Sequence, residues 1–213
     1  MESNTNLHQY KEKDIVEVGL DEAGRGCLLG PVCVAGVIWL QEDPRNDIVI
    51  KDSKKYSEKK RIQCYDYVKE HCIDHSIQLL SNEEIDTKNI LQASIEGMHQ
   101  CLDDISIRKS FDTILVDGNH FETYYSSQKD EFIPHHCIVK GDNTYKSIAA
   151  ASVLAKTYRD KYIIQLVKDN PELEKYDIVN NKGYGTKKHM EAIKKYGITQ
   201  WHRKTFKPCS DYV

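Results

Sequence analysis

Two adjacent acids, Asp21 and Glu22, run straight into Ala23-Gly24-Arg25-Gly26 at the end of an alternating apolar stretch carried by Val16, Val18 and Leu20. Successive side chains of a strand point to opposite faces, so neighbouring carboxylates are expected to serve one site where the strand ends and bends. Gly24 and Gly26 supply the bend and leave backbone N–H groups bare, and Arg25 adds a fixed cation. Two further acids close segments of the same kind: Asp117 after Thr113-Ile114-Leu115-Val116, and Asp142 in Lys140-Gly141-Asp142 after a short strand over 136–139. Carboxylates avoid strands, and strand ends of an open α/β sheet are where sites are built. Four carboxylates brought together repel one another unless cations sit between them, and hard Mg²⁺ or Mn²⁺ ions are the natural partners of such oxygen ligands. Two ions about 3.5–4 Å apart activate a water and stabilise the leaving oxygen of an in-line phosphoryl displacement, with no separate histidine base. Each acid alone reads better as a loop or helix cap than as a catalytic group. The set of four, beside a glycine-flanked arginine, points to phosphodiester chemistry.

The elements that must position these residues are legible in part. Residues 14–21 read as a strand, Gly30-Pro31 as a turn, and Val32 to Trp39 as a second, buried strand. A helix starts at Ser57-Glu58 with Ile62, Tyr65, Val68 and Cys72 on one face, followed by a strand from Ser76 to Leu80. Leu91, Ile95, Met98, Leu102 and Ile105 keep a helical spacing, and 112–117 and 136–139 are compact strands. A long helix runs from Ser147 to about Val167, a loop holds Pro171, and Thr186 and Gly197 bound a last helix. Tyr145, Tyr158 and Tyr162 are expected to pack the long helix. The first two strands are joined by a hairpin-length link, which excludes an all-parallel sheet. The expectation is α/β: a mixed five-stranded sheet with helices on both faces. Residues 1–13 read as a flexible tail, 14–168 as the catalytic domain, and 169–213 as a helical extension contacting substrate within the same unit.

The chain of 213 residues is 30% charged and has a net charge of −3. Its mean hydropathy is low. It shows no apolar run of about 20 residues and no signal-peptide pattern, so a cytoplasmic protein is expected. Seven cysteines, odd in number, widely spaced and without C-x-x-C, suggest reduced thiols. The negative total conceals two basic runs: eight Lys/Arg against one acid from Lys182 to Lys207, and six against two from Lys51 to Arg61. Local basic faces set phosphate affinity, although each run also fits a solvated helix face. His71, Cys72 and His75 lie close on a helix and fit a helix surface better than a transition-metal site, since a third ligand is lacking.

An ordered series of motifs resembles the ribonuclease HII family, in a bacterial, single-subunit form. It comprises Val18–Gly26 with Gly30-Pro31-Val32, Asp52–Lys55 with Ser57–Arg61, and Asn89–Ala93. Val116–Asn119, Lys140–Asp142, Ile148–Lys156, Arg159-Asp160, Asn181–Lys187 and His202–Phe206 follow in the family's order, from about residue 16 to 206. The resemblance implies a ribonuclease H-like fold with a C-terminal helical extension. It also implies an endoribonuclease acting on the RNA strand of RNA–DNA hybrids and 5′ to ribonucleotides embedded in duplex DNA, leaving 3′-hydroxyl and 5′-phosphate ends, with a place in ribonucleotide excision repair. By motif match, Asp21, Glu22, Asp117 and Asp142 are the metal-holding acids, with Mn²⁺ or Mg²⁺ as cofactor, two ions in the active complex. Gly24, Arg25 and Gly26 match the loop that reads the ribose 2′-hydroxyl through backbone atoms, and Tyr184 the tyrosine stacked on the sugar after the ribonucleotide. That hydroxyl is what separates RNA from DNA at one site. Lys54, Lys55, Lys156 and Lys182 are assigned to phosphate contacts, with helix solvation as an equal reading.

Departures from the family pattern are few. Cys27 stands where proline is common and is read as a small packed side chain. No tail resembling a sliding-clamp peptide follows Phe206, and a monomer is expected. The related ribonuclease HIII carries an extra N-terminal domain, whereas about twenty residues precede Asp21 here. His120, three residues beyond Asp117, has no matched role. Two rival readings remain. A non-catalytic duplex-binding module would be free to lose any of the acids, and all four are present. A small-molecule phosphohydrolase would more naturally carry an Asp-x-Asp nucleophile or a G-x-x-x-x-G-K-[ST] loop, and neither occurs.

Overall fold

The structure, a computed structural model, describes residues 7–39, 50 and 56–213. Alternation and β-branched residues make β1 (Glu17–Ala23) and β2 (Val32–Ile38), joined as an antiparallel hairpin. Ser57 caps α1 (Glu58–His71) by accepting the Lys60 N–H, and β3 (Asp74–Leu80) then pairs antiparallel with β2. A reciprocal capping box between Ser81 and Glu84 starts α2 (Asn82–Lys88). The Asn89 side chain starts α3 (Ile90–Arg108). Next come β4 (Thr113–Asp117), a small hairpin of β5 (Tyr124–Ser126) and β6 (Glu131–Ile133), and β7 (His135–Ile138). α4 (Lys146–Asp169), the short α5 (Ile178–Asn181) and α6 (Lys187–Tyr196) complete the chain, with Thr186 and Gly197 at the ends of α6 as expected.

The main sheet has the order β3-β2-β1-β4-β7, with β1, β4 and β7 mutually parallel. It is the expected mixed five-stranded sheet. Strand parity sends Val18, Leu20, Val34, Ile114 and Val116 to one face, against Met98, Leu102 and Ile105 of α3. Ala35, Val37 and Trp39 go to the other, against α1 and Ala149–Ala151 of α4. Small residues let α4 lie close: a Cβ on Gly19 would sit 2.3 Å from the backbone carbon of Ser147. Gly19→Ala should therefore lower stability by about 2–3 kcal/mol, measured as the urea midpoint, because backbone rather than a movable side chain meets the new carbon. A third apolar cluster, Leu28, Leu29, Ile163, Leu173, Tyr176, Ile178 and Ile193, fastens the C-terminal extension to the second half of α4.

Several elements depart from the sequence expectations. Tyr65 and Val68 of α1 are buried as expected, but Ile62 is exposed, and Cys64 and Tyr67 are buried beside them, Tyr67 packing on Trp39 with ring centroids 6.1 Å apart. Pro171 opens a turn of 3-10 helix over Pro171–Tyr176 rather than lying in a loop. Tyr158 is exposed. α2 and the β5–β6 hairpin have no counterpart in the sequence reading, though the Ser81–Glu84 capping box was a usable signal. Residues 7–13 of the supposed tail are tied down: the His8 N–H donates to the Thr144 carbonyl, and the Lys11 and Glu12 N–H groups donate to the buried Glu17 carboxylate. All seven cysteines are free. None of the described helices is long and apolar enough to cross a membrane.

Candidate active site

β1 and β4 run parallel with Gly19 beside Leu115 and Leu20 beside Val116. One step further, that register sets Asp21 beside Asp117 on one face. The strand does not bend between the two acids as expected. β1 continues to Ala23, with Asp21 opposite Ala35 and Glu22 opposite Val34 on β2, so Asp21 and Glu22 point to opposite faces. Asp142 is likewise not at a strand end. β7 stops at Ile138, Lys140 takes a left-handed conformation, and Asp142 sits in a single 3-10 turn, Gly141–Asn143. That turn brings it back: Asp21, Asp117 and Asp142 each place a carboxylate oxygen within 4.8 Å of the others. The Gly141 N–H fastens the return by donating to Asp117 Oδ1 at 2.7 Å, and a Cβ there would come 2.6 Å from Cδ1 of Ile148.

Among the described residues, these three acids are the one group of such side chains close enough to share an ion. Burial pushes the Asp21 carboxyl well above the usual carboxylate range, and the charges of Glu22 and Asp117 push it further, against a hydrogen bond from Ser152. Glu22 stands on the rim, with Oε1 3.2 Å from Arg25 Nη1, near enough to act on Asp21 electrostatically. An all-oxygen, anionic, partly desolvated set of this kind fits a hard divalent cation, which removes the repulsion.

Asp21, Glu22 and Asp117 open onto a cleft of about 240 Å³, lined also by residues 23–26, Ser152, Lys156 and Tyr184. Its loop is held from beneath by two fully buried arginines. Arg203 donates to the carbonyls of Gly24 (2.8 Å), Arg25 (2.8 Å) and Gly30 (3.0 Å). In trans peptides, carbonyls turned down to Arg203 leave the N–H groups of Arg25 and Gly26 pointing the opposite way. Arg159 donates to the carbonyls of Leu29, Pro31 and Lys182, at 2.8–3.0 Å. Gly24 has φ +87°, and a Cβ there would sit 1.9 Å from Arg159 Nε. Tyr184 is bridged to Cys27 and leaves its ring half exposed at the cleft. Lys156 Nζ lies 5.5 Å from that ring's centroid and 2.8 Å from Asp160 Oδ1.

Not every candidate gathers here. Lys182 turns its ammonium onto the Val179 carbonyl of its own helix and supplies only its backbone carbonyl, to Arg159. Lys54 and Lys55 lie outside the described residues. His120 is exposed. Cys72 Sγ is 3.4 Å from His75 Nδ1, but His71 stacks on Tyr67. Burial raises the Cys27 thiol above its ordinary value, in keeping with a packed side chain. The sequence reading assigned no role to Ser152, Arg159 or Arg203. Each stands inside a quoted motif, but only long-range contacts reveal what it touches.

Solved ribonucleases of the HII and HIII kinds share this fold. The structure of ribonuclease HII from Archaeoglobus fulgidus, solved with PCNA, superposes with a TM-score of 0.70 at 25% identity, over 91% of this chain and 96% of that one. Bst-RNase HIII in complex with Mn²⁺ shares the fold, with a TM-score of 0.67 at 20% identity, over 93% of this chain and 69% of that one. The Ribonuclease HII family profile matches residues 18–209, and the ribonuclease HII of Bacteroides thetaiotaomicron is 45% identical over 205 residues, 96% of each chain. The chain belongs to the ribonuclease HII family. It is an endoribonuclease of the ribonuclease H type, acting on the RNA strand of RNA–DNA hybrids.

Proposed function

We propose that this enzyme also cuts duplex DNA on the 5′ side of a single embedded ribonucleotide, leaving 3′-hydroxyl and 5′-phosphate ends. The observation that carries the reading is the convergence of three unlike features on one cleft: the acids, the outward amides of Arg25 and Gly26, and the Tyr184 ring. Asp21, Asp117 and Asp142, with Glu22 at the rim, would hold Mg²⁺ or Mn²⁺. Two such ions supply an activated water and neutralise charge on the phosphate and the leaving oxygen. The protein's own groups do the selecting. Backbone amides at 25 and 26 are placed to bond a ribose 2′-hydroxyl, and a deoxyribose offers them nothing in return. The half-exposed Tyr184 ring offers a flat face to the next sugar, and Lys156 beside it offers a cation to a phosphate. Gly141 and Ser152 orient the acids through hydrogen bonds to Asp117 and Asp21.

The test is a labelled DNA duplex with one ribonucleotide, incubated with Mg²⁺ or Mn²⁺. A single 5′-side cut is expected. Digestion of an RNA–DNA hybrid with no cut on this duplex would overturn the proposal. Tyr184→Ala should reduce cutting at the single ribonucleotide about tenfold while changing cutting within an RNA tract far less, because a tract offers many alternative registers. Equal slowing of both substrates would remove the junction-reading role of this side chain.

A further inference from the structure

Behind Tyr184, outside the cleft lining, two fully buried histidines meet. His189, in the first turn of α6, and His202, in the segment after it, face each other with their Nε2 atoms 3.1 Å apart. Their outer partners determine where the protons are. The Tyr184 carbonyl oxygen, 3.0 Å from His189 Nδ1, only accepts, so that nitrogen carries a hydrogen. The Thr199 backbone N–H donates to His202 Nδ1 at 2.9 Å, and the Thr199 hydroxyl, also 2.9 Å from that nitrogen, is able to donate to it as well, so that nitrogen is bare. His202 must then hold its hydrogen on Nε2 and donate it to the bare Nε2 of His189. The bonds run in one direction, from the Thr199 N–H through His202 and His189 to the Tyr184 carbonyl. A second proton on either ring would set N–H against N–H. Burial also pushes both rings below the ordinary histidine value, His202 to about 4.

The direction matters because the Tyr184 ring is half exposed, with the Lys156 and Arg159 cations 5.5 and 6.0 Å from its centroid. Its aim is set at both ends, by a side-chain hydrogen bond with Cys27 and by its own backbone. That backbone is held by the Tyr184 N–H donating to the Asn181 carbonyl, and by the Tyr184 carbonyl accepting from the Thr186 N–H and from His189. We infer that the His189–His202 pair is a positioning device for Tyr184, and through it a determinant of selection for a single ribonucleotide. The inference rests on the reading of Tyr184 given above. If His202 stops donating, the bare Nε2 of His189 is left buried without a partner, and the ring that holds the Tyr184 carbonyl loses its support on that side.

His202→Phe tests this, since it keeps a ring beside Tyr176, which lies 5.0 Å away, and removes the donor. The readout is the ratio of cutting at one embedded ribonucleotide to cutting within an RNA tract. His202→Phe should lower the ratio by roughly tenfold, the size expected for losing one buried hydrogen bond, and His202→Gln, which restores an N–H donor, should recover most of it. Equal slowing of both substrates, or an unchanged ratio, would reduce the pair to core packing and overturn the inference. Tyr184→Ala assayed alongside separates the two levels. If it lowers the ratio and His202→Phe does not, the inference fails alone; if Tyr184→Ala leaves the ratio unchanged, the reading beneath it has failed. Imidazole ¹⁵N shifts of the unmodified protein provide a readout that needs no variant. Hydrogens on His189 Nδ1 and His202 Nε2 are expected, and a hydrogen on His189 Nε2 would overturn the inference.

Discussion

Asp117→Asn should abolish cleavage, by at least about a thousandfold in kcat, and leave binding to a hybrid duplex largely intact. Asparagine keeps the shape of the side chain and can still accept the Gly141 N–H, which Asp117 Oδ1 now receives at 2.7 Å. What it removes is one negative charge from a set of three acids whose oxygens lie within 4.8 Å. The fold therefore has no reason to change, while the affinity for a divalent cation falls steeply with the loss of a charged ligand. Stability should hold or rise slightly, because the charge of Asp117 is one of the causes that raise the Asp21 carboxyl. Single-turnover cleavage, hybrid binding by anisotropy and a thermal melt check the three parts. Near-normal cleavage by the variant would show that these acids do not hold the catalytic ions.

Gly24→Ala should be the most damaging single-methyl change in the cleft. Both its backbone, at φ +87°, and the space beside it, 1.9 Å from Arg159 Nε, refuse a side chain. Arg159 cannot easily move away, because its three donor nitrogens bond three separate carbonyls. We expect a stability loss of about 2–4 kcal/mol and a fall in cleavage of roughly a hundredfold or more, as the loop shifts relative to the acids. Gly26→Ala is the matched comparison. A Cβ there meets nothing within 4 Å, so stability should be unaffected, and any loss of cleavage reports a close approach of substrate to that backbone. Equal thermal melts for Gly24→Ala and the unaltered protein would contradict the role given to Arg159 as a fixed support.

The support for that loop comes from the opposite end of the chain. The Leu28 N–H donates to the Gly183 carbonyl, the Gly30 N–H to the Trp201 carbonyl, and the Arg203 N–H to the Leu28 carbonyl. Residues 24–31 are thus laced to 182–184 and 201–203. The C-terminal extension does more than add a basic face; through Arg203 it sets which way the loop amides point.

The sequence by itself determined the elements and the chemistry. Alternation in 14–21 and the apolar run of 32–39 marked the first two strands, helical spacing marked α3, and Ser57, Thr186 and Gly197 marked helix ends. Each of these signals is local, set within a few residues by side-chain direction or capping. The acids and the Gly24–Gly26 loop stood out by residue type and spacing, whereas Tyr184 entered only through the resemblance to the family's motif. Tertiary structure decided the rest. It kept β1 straight through Glu22, so that Asp21 faces Asp117 while Glu22 stands aside, and it returned Asp142 through a single 3-10 turn. It buried Arg203, which in sequence looks like a member of a basic run, and Arg159, which in sequence stands only in the Arg159-Asp160 motif. It turned Lys182 away from the cleft and fixed the protons of His189 and His202. These outcomes depend on partners far apart along the chain, as Arg203 and Gly24 are. No local pattern records whether a charged side chain will meet water or a ring of carbonyls, because that is settled only when distant segments close around it.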